Sequence, residues 1–272
     1  MKKIWPAPAK LNLFLHVVGR RADGYHLLQT VFQFLDYSDE LEFRVTDDGR
    51  ITRVTDLPGV PAVSDLTLRA ARLLQETAGV AHGVEILLRK RIPAGGGLGG
   101  GSSDAATTLM ALNELWDVRL TRTQLATLGL KLGADIPVFV EGLGAWAESV
   151  GEQLTPIELP QPWYVVLSPP VAVSTAAVFQ GLELTRYSPA ITIRDFRAGR
   201  TRNDLEPAVR RQFPQVDQAL TWLSRFGEAR MTGSGGCVFV ALEDESEAQA
   251  ILARAPFPGF VARGVNRHPL YI

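Results

Sequence analysis

A glycine-rich stretch at residues 93–106 constrains the fold of this chain more than any other part of its sequence. It reads Pro-Ala-Gly-Gly-Gly-Leu-Gly-Gly-Gly-Ser-Ser-Asp-Ala-Ala, so six of the seven positions from 95 to 101 are glycine. Glycine gives up side-chain contacts and conformational entropy, and in return it lets a ligand approach the bare backbone closely. Alternating apolar residues predict a strand at 84–92, and apolar residues at helical spacing predict a helix from Ala105 onwards. We expect a serine at 102 or 103 to cap that helix.

A loop that joins a strand to a helix N-terminus is suited to an anion, because unpaired N–H groups and the positive end of the helix dipole face the ligand. The P-loop pattern is not met, since no lysine precedes Ser102. The dinucleotide pattern G-x-G-x-x-G is formally met at Gly95, Gly97 and Gly100, but the charged run 89–91 lies where a dinucleotide fold has a buried apolar strand. A protein-kinase glycine loop would lead into a strand. The stretch is therefore predicted to hold phosphates, and a flexible surface linker is the structural alternative.

Composition restricts the classes of function that remain. The 272 residues are 46% hydrophobic and 21% charged, which fits a globular chain with one large or two modest domains. The net charge of −1 gives no general attraction to nucleic acid or to an anionic membrane. A single cysteine, Cys237, excludes a disulfide framework and fits a reducing compartment. No apolar segment approaches the length of a bilayer span, so we expect a cytoplasmic protein without nucleic-acid or membrane partners.

Two polar clusters precede the glycine loop. In a strand predicted at 9–18, alternation places Lys10 and Asn12 on one face, where both could reach one substrate; a solvated outer face is the alternative. Tyr25 and His26 follow an Asp-Gly turn. An aromatic ring beside an imidazole suits a flat heterocycle, although a core tyrosine next to a surface histidine is the commoner pattern.

Two further clusters follow the loop. Asp135 lies between apolar residues just before Pro137, so it could cap a short helix or serve as a general base facing a cation such as Lys10. A second glycine cluster at 231–237 leads into a predicted strand. It is either a tight turn or a second backbone wall around the same ligand.

Turn and capping residues predict the remaining organisation. Asp-Asp-Gly at 47–49 predicts a β-hairpin, and Ser64 is expected to cap a helix at 66–77. A capping box at 121–124 predicts a helix that ends at Gly133. Three prolines at 156–162 indicate a domain boundary near that segment, followed by strands and helices of a small α+β sandwich, including a helix near 174–183.

Three separated motifs together resemble the signatures of the GHMP kinases, a family of small-molecule kinases that use ATP. They are Ala-Lys-Leu-Asn-Leu at 9–13, the glycine loop at 93–106, and Thr-Gly-Ser-Gly-Gly at 232–236. Stretches at 22–26, 102–104, 133–139 and 202–206 resemble the branch of that family that phosphorylates a cytidine diphosphate-linked methylerythritol. The resemblance extends over nearly the whole chain.

The resemblance implies an α+β protein with the two-lobed GHMP kinase fold. Residues 1–158 would form an ATP-binding lobe that resembles the ribosomal protein S5 domain 2-like fold, and residues 159–272 a ferredoxin-like α+β sandwich. The active site would lie in the cleft between the lobes. ATP would be the co-substrate and Mg²⁺ the metal, and the chain would act as a monomer or a weak homodimer.

The resemblance also implies roles for individual residues. Asp135 would accept the proton of the substrate hydroxyl, and Lys10 would steady that carboxylate and the transferred phosphoryl group. Tyr25, His26 and Phe179 would enclose the cytosine, and Asn12 and Gly235 would also bind the substrate. Mg²⁺ would bridge the ATP phosphates, with Ser103 as its candidate protein ligand. The ATP contacts would be Pro93, Ala94, Gly95, Gly96, Gly97, Leu98, Gly99, Gly100, Gly101, Ser102 and Ser103, together with Asp65 in the adenine pocket.

Two positions depart from simple expectation, and three other functions stay open. Asp65 stands where the family commonly has asparagine, and Asp104 places a negative charge near the phosphates unless it points away from them. A GHMP kinase for another small alcohol, such as homoserine or a sugar, would share the ATP site. The pattern G-x-G-x-x-G, taken alone, would indicate a dinucleotide-dependent oxidoreductase. A nucleotide sensor without catalysis is disfavoured, because it would need neither Lys10 nor Asp135.

Overall fold

The computed structural model describes residues 3–22, 24–181 and 187–271. Asp23 of the motif at 22–26, and the last two residues of the helix predicted at 174–183, lie outside these ranges. No helix within them is long and apolar enough to cross a bilayer. The strands are β1 (Trp5–Arg20), β2 (His26–Thr46), β3 (Ile51–Arg53), β4 (Gly83–Arg89), β5 (Ala145–Glu148), β6 (Gln153–Pro156), β7 (Trp163–Leu167), β8 (Arg230–Met231), β9 (Val238–Leu242) and β10 (Gly259–Val265). The helices are α1 (Leu66–Ala78), α2 (Gly100–Leu115), α3 (Arg122–Leu130), α4 (Ile136–Glu141), α5 (Thr175–Gln180), α6 (Ile193–Arg197), α7 (Glu206–Gln212), α8 (Pro214–Leu223) and α9 (Glu245–Leu252).

The first lobe is built around the long strand β2 and the helix α2. β2 spans 21 residues and pairs antiparallel with β1, β4 and β5. Apolar residues of α1, α2, α3 and α4 pack against this sheet in one hydrophobic core. Within α2, every residue from Ser103 to Leu109 is buried. The core therefore fixes the position of the N-terminal end of α2, where the glycine loop enters it.

The second lobe has a sheet with the strand order β10-β7-β9-β8, and all neighbouring pairs are antiparallel. Helix α8 lies on this sheet between β7 and β8 in the chain, and α9 lies between β9 and β10. This order and connectivity are those of a ferredoxin-like sandwich, as expected. The end of β10 also pairs with β2, so strands of the two lobes form one continuous sheet.

The lobes exchange segments near both ends of the chain. Leu15 and Val17 of β1 pack into the core of the second lobe. In return Val265 and Leu270, from the end of the chain, pack against the core of the first lobe. The cores of the two lobes thus each contain residues from both sides of 158 and 159, so a division of the chain at that point stays a prediction.

The predicted hairpin at 47–49 is wrong. β3 does not pair with β2; instead it lies parallel to β4, which is inserted between the two strands. The chain crosses the start of β4 at Gly83, where a β-carbon would collide with the backbone of Arg50. A turn sequence reports the local reversal of the chain but carries no information about a later strand that enters between its arms.

The predicted caps of α1 and α3 are only partly confirmed. The capping box of Thr121 and Gln124 is present as predicted. Asp65, and not Ser64, caps α1, because its carboxylate accepts the N–H of Thr67. Helix α3 ends at Leu130 before the expected Gly133.

His268 anchors the end of the chain on the first lobe. Its N–H donates to the carbonyl oxygen of Gly142 at 2.9 Å, and its Nδ1 accepts the N–H of Leu270 at 3.0 Å. Burial, assisted by the nearby charge of Arg122, lowers the pKa of His268 to about 3. The folded protein therefore keeps this imidazole neutral at pH values where an unfolded chain would protonate it.

We expect the His268 contribution to stability to be complete above pH 6.5, the ordinary pKa of histidine, and to decline as the pH falls towards 3. Between pH 7 and pH 5 the free energy of unfolding should fall by about 2 kcal/mol from this residue. Urea unfolding at both pH values measures the loss. In His268→Asn, whose Oδ1 can still accept the N–H of Leu270, this part of the pH dependence should vanish. An equal pH dependence in both proteins would refute the assignment.

Candidate active site

A cavity of about 470 Å³ lies along the glycine loop and is lined by residues from both lobes. This volume is in the range of small-molecule binding sites. The first lobe contributes β1, the loop and the start of α2, and the second contributes α5 and the second glycine cluster. The predicted site residues on its lining are Lys10, Asn12, Asp65, Pro93, Ala94, Gly95, Gly96, Gly97, Leu98, Gly99, Gly100, Gly101, Ser102, Asp135 and Phe179.

The glycine loop winds directly into α2 through three left-handed residues. Gly95, Gly97 and Gly99 have φ values of 69°, 76° and 73°, a region that side chains other than glycine disfavour. Gly99 is the N-cap, and no side chain caps the helix. The expectation that Ser102 or Ser103 caps α2 is wrong, because the alternating glycines turn the chain early and place both serines inside the first turn. The first N–H groups of α2 are left for a ligand.

The second glycine cluster packs backbone to backbone against the first. A β-carbon on Gly97 would overlap the carbonyl oxygen of Thr232, and one on Gly236 would lie 2.6 Å from that of Gly95. The N–H of Cys237 also donates to the carbonyl oxygen of Gly96 at 3.1 Å. The second cluster therefore holds the backbone of the glycine loop in place. Burial of the Cys237 side chain raises the pKa of its thiol to about 11.

Gly235 does not occupy the position expected of a substrate contact. Its N–H donates to the carbonyl oxygen of Thr232 at 3.1 Å, and its Cα faces Val209 and Met231 in the second core. Gly233 and Ser234 line the cavity instead. The turn into the strand that follows rotates Gly235 away, which spacing alone does not reveal.

Lys10 and Asp135 form an ion pair at one side of the cavity. The Lys10 ammonium is 3.3 Å from Oδ2 of Asp135, 3.0 Å from the carbonyl oxygen of Gly97, and also bonded to Oδ1 of Asn12. The lysine side chain is 2% exposed, whereas the aspartate is 37% exposed. Asp135 stands at the N-cap position of α4 but makes no capping hydrogen bond. Of its two sequence interpretations, the structure favours a carboxylate that faces a cation.

The charge of Asp104 is compensated by a lysine that the sequence analysis did not assign to the site. Lys90 Nζ lies 2.7 Å from Oδ2 of Asp104 and also contacts Asp39, and both Lys90 and Asp104 line the cavity. Asp104 therefore lines the cavity with its carboxylate bonded to Lys90, and its direction relative to bound phosphates stays a prediction. Burial raises the pKa of Asp104, and the charge of Lys90 opposes that rise. The basic run 89–91 was the available signal for Lys90.

Asp65 lines the cavity but is committed to structural contacts. It caps α1 and pairs with the guanidinium of Arg53, and it is 3% exposed. Its role in an adenine pocket stays a prediction.

Ser103 is completely buried, and within the described residues its hydroxyl has no hydrogen-bond partner. It does not lie on the cavity lining, whereas Ser102 does. The interior position of Ser103 in the first turn of α2 explains the difference, since it faces the core. In the described ranges no group of three or more histidine, cysteine, aspartate or glutamate side chains could hold a metal ion.

The residues predicted to enclose a heterocycle are partly assembled. The rings of His26 and Phe179 are 5.2 Å apart between centroids and inclined by 32°. Phe179 lines the cavity, and Tyr25 is 64% exposed just before β2. Thr175 and Ser234, which the sequence analysis did not single out, line the cavity with their hydroxyl oxygens 2.7 Å apart.

Two family models match the chain and together cover more than half of it. The model described as GHMP kinases N terminal domain matches residues 65–143, and the model described as GHMP kinases C terminal matches residues 190–259. The first match includes the glycine loop and Asp135, and the second includes the cluster at 231–237.

Curated relatives match at high identity over nearly their whole length. The 4-diphosphocytidyl-2-C-methyl-D-erythritol kinase of Thiobacillus denitrificans is 59% identical and covers 100% of this chain and 98% of its own. The enzyme of the same name from Nitrosococcus oceani is 58% identical, with coverages of 97% and 95%.

Solved structures share the fold. A crystal structure of 4-(cytidine 5'-diphospho)-2C-methyl-D-erythritol kinase has a TM-score of 0.84 at 34% identity, covering 96% of this chain and 99% of its own. The mevalonate kinase of Methanococcus jannaschii has a TM-score of 0.71 at 19% identity, with coverages of 98% and 99%, which shows a common fold alone. The two-lobed α+β fold expected from the sequence is confirmed.

Proposed function

This chain belongs to the GHMP kinases, and on that premise we propose that it transfers a phosphoryl group from ATP to the 2-hydroxyl of 4-diphosphocytidyl-2-C-methyl-D-erythritol. That reaction belongs to the non-mevalonate pathway to isoprenoid precursors. The observation that supports it most directly is that the Lys10 and Asp135 pair and the glycine loop open into the same cavity. The relatives named above carry this activity in their names. A cytoplasmic location and a monomer or weak homodimer stay predictions.

The glycine loop would hold the phosphates of ATP. Phosphoryl transfer depends mainly on positioning and on stabilising negative charge, and the uncapped N–H groups at the start of α2 provide both. At Gly95 a β-carbon would meet nothing within 4 Å, so the backbone there is open to a ligand. Asp65 and Lys90, which also line the cavity, would contribute to the pocket for the base.

Asp135 would act as the general base. Its carboxylate takes the proton of the substrate hydroxyl while the oxygen attacks the γ-phosphorus and ADP departs. Lys10 would orient the carboxylate in the ground state and offset the negative charge that develops on the transferred group. Because Lys10 is buried and Asp135 is partly exposed, the carboxylate is the member of the pair that the substrate can reach.

Mg²⁺ fits this site as an ion held mainly by the phosphates. A kinase magnesium keeps several waters and needs only one or two protein oxygens. Ser102 supplies such an oxygen on the cavity lining, so it joins Ser103 as a candidate ligand. When bound, the ion would neutralise charge on the β- and γ-phosphates.

Tyr25, His26 and Phe179 would bind the cytosine. The contact between His26 and Phe179 supplies one side of a pocket for a flat ring, and Asn12 would hold the part of the substrate nearest Lys10. A kinase for homoserine or a sugar would have no use for such a clamp, and this favours the cytidine-linked alcohol.

We expect Tyr25→Ala to raise KM for the cytidine substrate about 10- to 100-fold, the usual effect of losing an aromatic stack on a base. Turnover at saturation should stay within about twofold, because the ring lies far from the reacting oxygen. Steady-state kinetics measure both parameters. Tyr187→Ala is the matched control, since Tyr187 is 78% exposed and lies outside the site. Equal effects in the two variants would remove Tyr25 from the pocket.

A coupled ADP-release assay tests the function directly. The purified protein with ATP and Mg²⁺ would receive the cytidine-linked alcohol, homoserine, mevalonate or galactose in separate reactions. Release with the cytidine substrate alone is expected. Release with another alcohol would retain the kinase but discard the cytosine clamp, and no release with any of them would favour a nucleotide sensor.

A further inference from the structure

A chain of buried hydrogen bonds begins at Asn203, a residue to which the proposed function gives no role. The side chain is 5% exposed, and its Nδ2 donates to the carbonyl oxygens of Met231 at 3.0 Å and Gly233 at 2.8 Å. One amide therefore fixes the backbone on both sides of Thr232. A buried amide that satisfies two carbonyls in this way restricts the intervening residue strongly.

Thr232 is the second link, and it is completely buried. Its Oγ1 accepts the N–H of Asn12 at 2.9 Å and lies 3.5 Å from the carbonyl oxygen of Gly97, to which it donates. Lys10 bonds to that same carbonyl oxygen and to the side chain of Asn12. Lys10 thus donates to two uncharged groups, one on Asn12 and one on Gly97. The Thr232 hydroxyl forms a hydrogen bond with each of these two residues.

The position of the ammonium matters more than its presence nearby. Lysine ends in a point charge on a flexible four-carbon chain, so its acceptors decide where the charge lies. Groups that act on a transition state must be held within about 0.5 Å, and a displacement of about 1 Å can reduce the rate about 100-fold.

We propose that Thr232, held by Asn203, is a positioning residue that fixes the ammonium of Lys10 for phosphoryl transfer. It acts through the carbonyl group of Gly97 and the backbone of Asn12. The inference rests on the proposed function, because that function gives Lys10 its role. Thr232 itself is enclosed by protein, while its neighbours Gly233 and Ser234 line the cavity.

Thr232→Val tests the proposal, because valine keeps the shape and removes the hydroxyl. We expect kcat to fall about 10- to 100-fold. KM for ATP and for the alcohol should each stay within about threefold, since no contact with either is removed. Thr232→Ser retains the hydroxyl, so its kcat should stay within about threefold of the wild-type value.

Thr107→Val is the matched control. Thr107 is also completely buried, and its Oγ1 donates to the carbonyl oxygen of Pro6 at 3.2 Å, so it links α2 to β1 away from Lys10. Loss of that hydroxyl should lower stability by a similar amount and leave kcat unchanged. A fall in kcat equal to that of Thr232→Val would assign the effect to general loosening of β1 and overturn the proposal.

A double-mutant cycle separates action through Lys10 from an independent effect. In a Lys10→Ala background, Thr232→Val should cause no further loss of the residual turnover, because the group that it positions is absent. If Thr232→Val lowers kcat by the same factor with and without Lys10, the two residues act independently and the proposal is overturned. If thermal melting shows that Thr232→Val is unfolded, Thr232→Ala and Thr232→Ser can be compared instead. That pair also differs by one hydroxyl, and it avoids the second methyl group of valine.

The two levels of inference fail differently. Wild-type protein that releases no ADP with any alcohol would refute the proposed function and the role of Lys10 with it. Active wild-type protein together with a fully active Thr232→Val would overturn the positioning role alone.

Discussion

Asp135→Asn should lower kcat about 100- to 10,000-fold, the range expected when a general base is lost. The amide preserves the shape of the side chain and can still accept a hydrogen bond from Lys10, but it cannot take the proton of the substrate hydroxyl. The affinity for ATP should be nearly unchanged, because we propose that the phosphates bind the glycine loop and not Asp135. Steady-state kinetics and titration with ATP measure the two quantities separately.

Glu141→Gln is the matched control for this variant. Glu141 is the last residue of the same helix α4, and it does not lie on the described lining of the cavity. The same exchange of carboxylate for amide should there leave kcat within about twofold. Asp135→Asn with turnover equal to that of Glu141→Gln would exclude Asp135 as the base.

Gly97→Ala should destabilise the protein by about 2–5 kcal/mol and abolish most of its activity. The left-handed φ of 76° contributes about 1–2 kcal/mol of strain for a residue with a side chain. Overlap of the new methyl group with the carbonyl of Thr232 adds about 1–3 kcal/mol, because the two glycine clusters must separate. Urea unfolding measures the first effect and ADP release the second.

Gly79→Ala isolates the conformational part of this loss. Gly79 ends α1 with a φ of 64°, and a β-carbon there would meet nothing within 4 Å. Its substitution should cost about 1 kcal/mol and leave activity intact. If Gly97→Ala is no more destabilising than Gly79→Ala, close packing of the two glycine clusters does not contribute to stability.

That Lys10, Asp135 and the glycine loop meet at one cavity could be predicted from the sequence, because short, unusual patterns mark all three. Six glycines in seven positions have few structural explanations. The motifs at 9–13 and 133–139, which both resemble the GHMP kinases, contain Lys10 and Asp135. The structure adds their distance of 3.3 Å and the difference in their exposure. These features follow from packing between β1 and the start of α4, which are far apart in the sequence, so local sequence contributes little to them.

The errors have a common physical origin in contacts between distant parts of the chain. The turn at 47–49 is real, but β4 enters beside it from more than 30 residues away. Ser103 is turned into the core because α2 begins at Gly100, and Gly235 is rotated towards Val209 by the turn into β9. Thr232 was visible in its motif, but its link to Lys10 passes through a residue 220 positions earlier.

That separation has a consequence for synthesis of the protein on the ribosome. Lys10 and Asn12 are made before the glycine loop, and the Thr232 hydroxyl that accepts the N–H of Asn12 is made 220 residues after Asn12. At 5–20 residues per second the interval is roughly 10–40 s. The strand β10, which joins β2, emerges later still. A nascent chain can therefore display its lysine and its glycine loop early, but it gains the complete arrangement around Lys10 only after Thr232 and β10 have emerged.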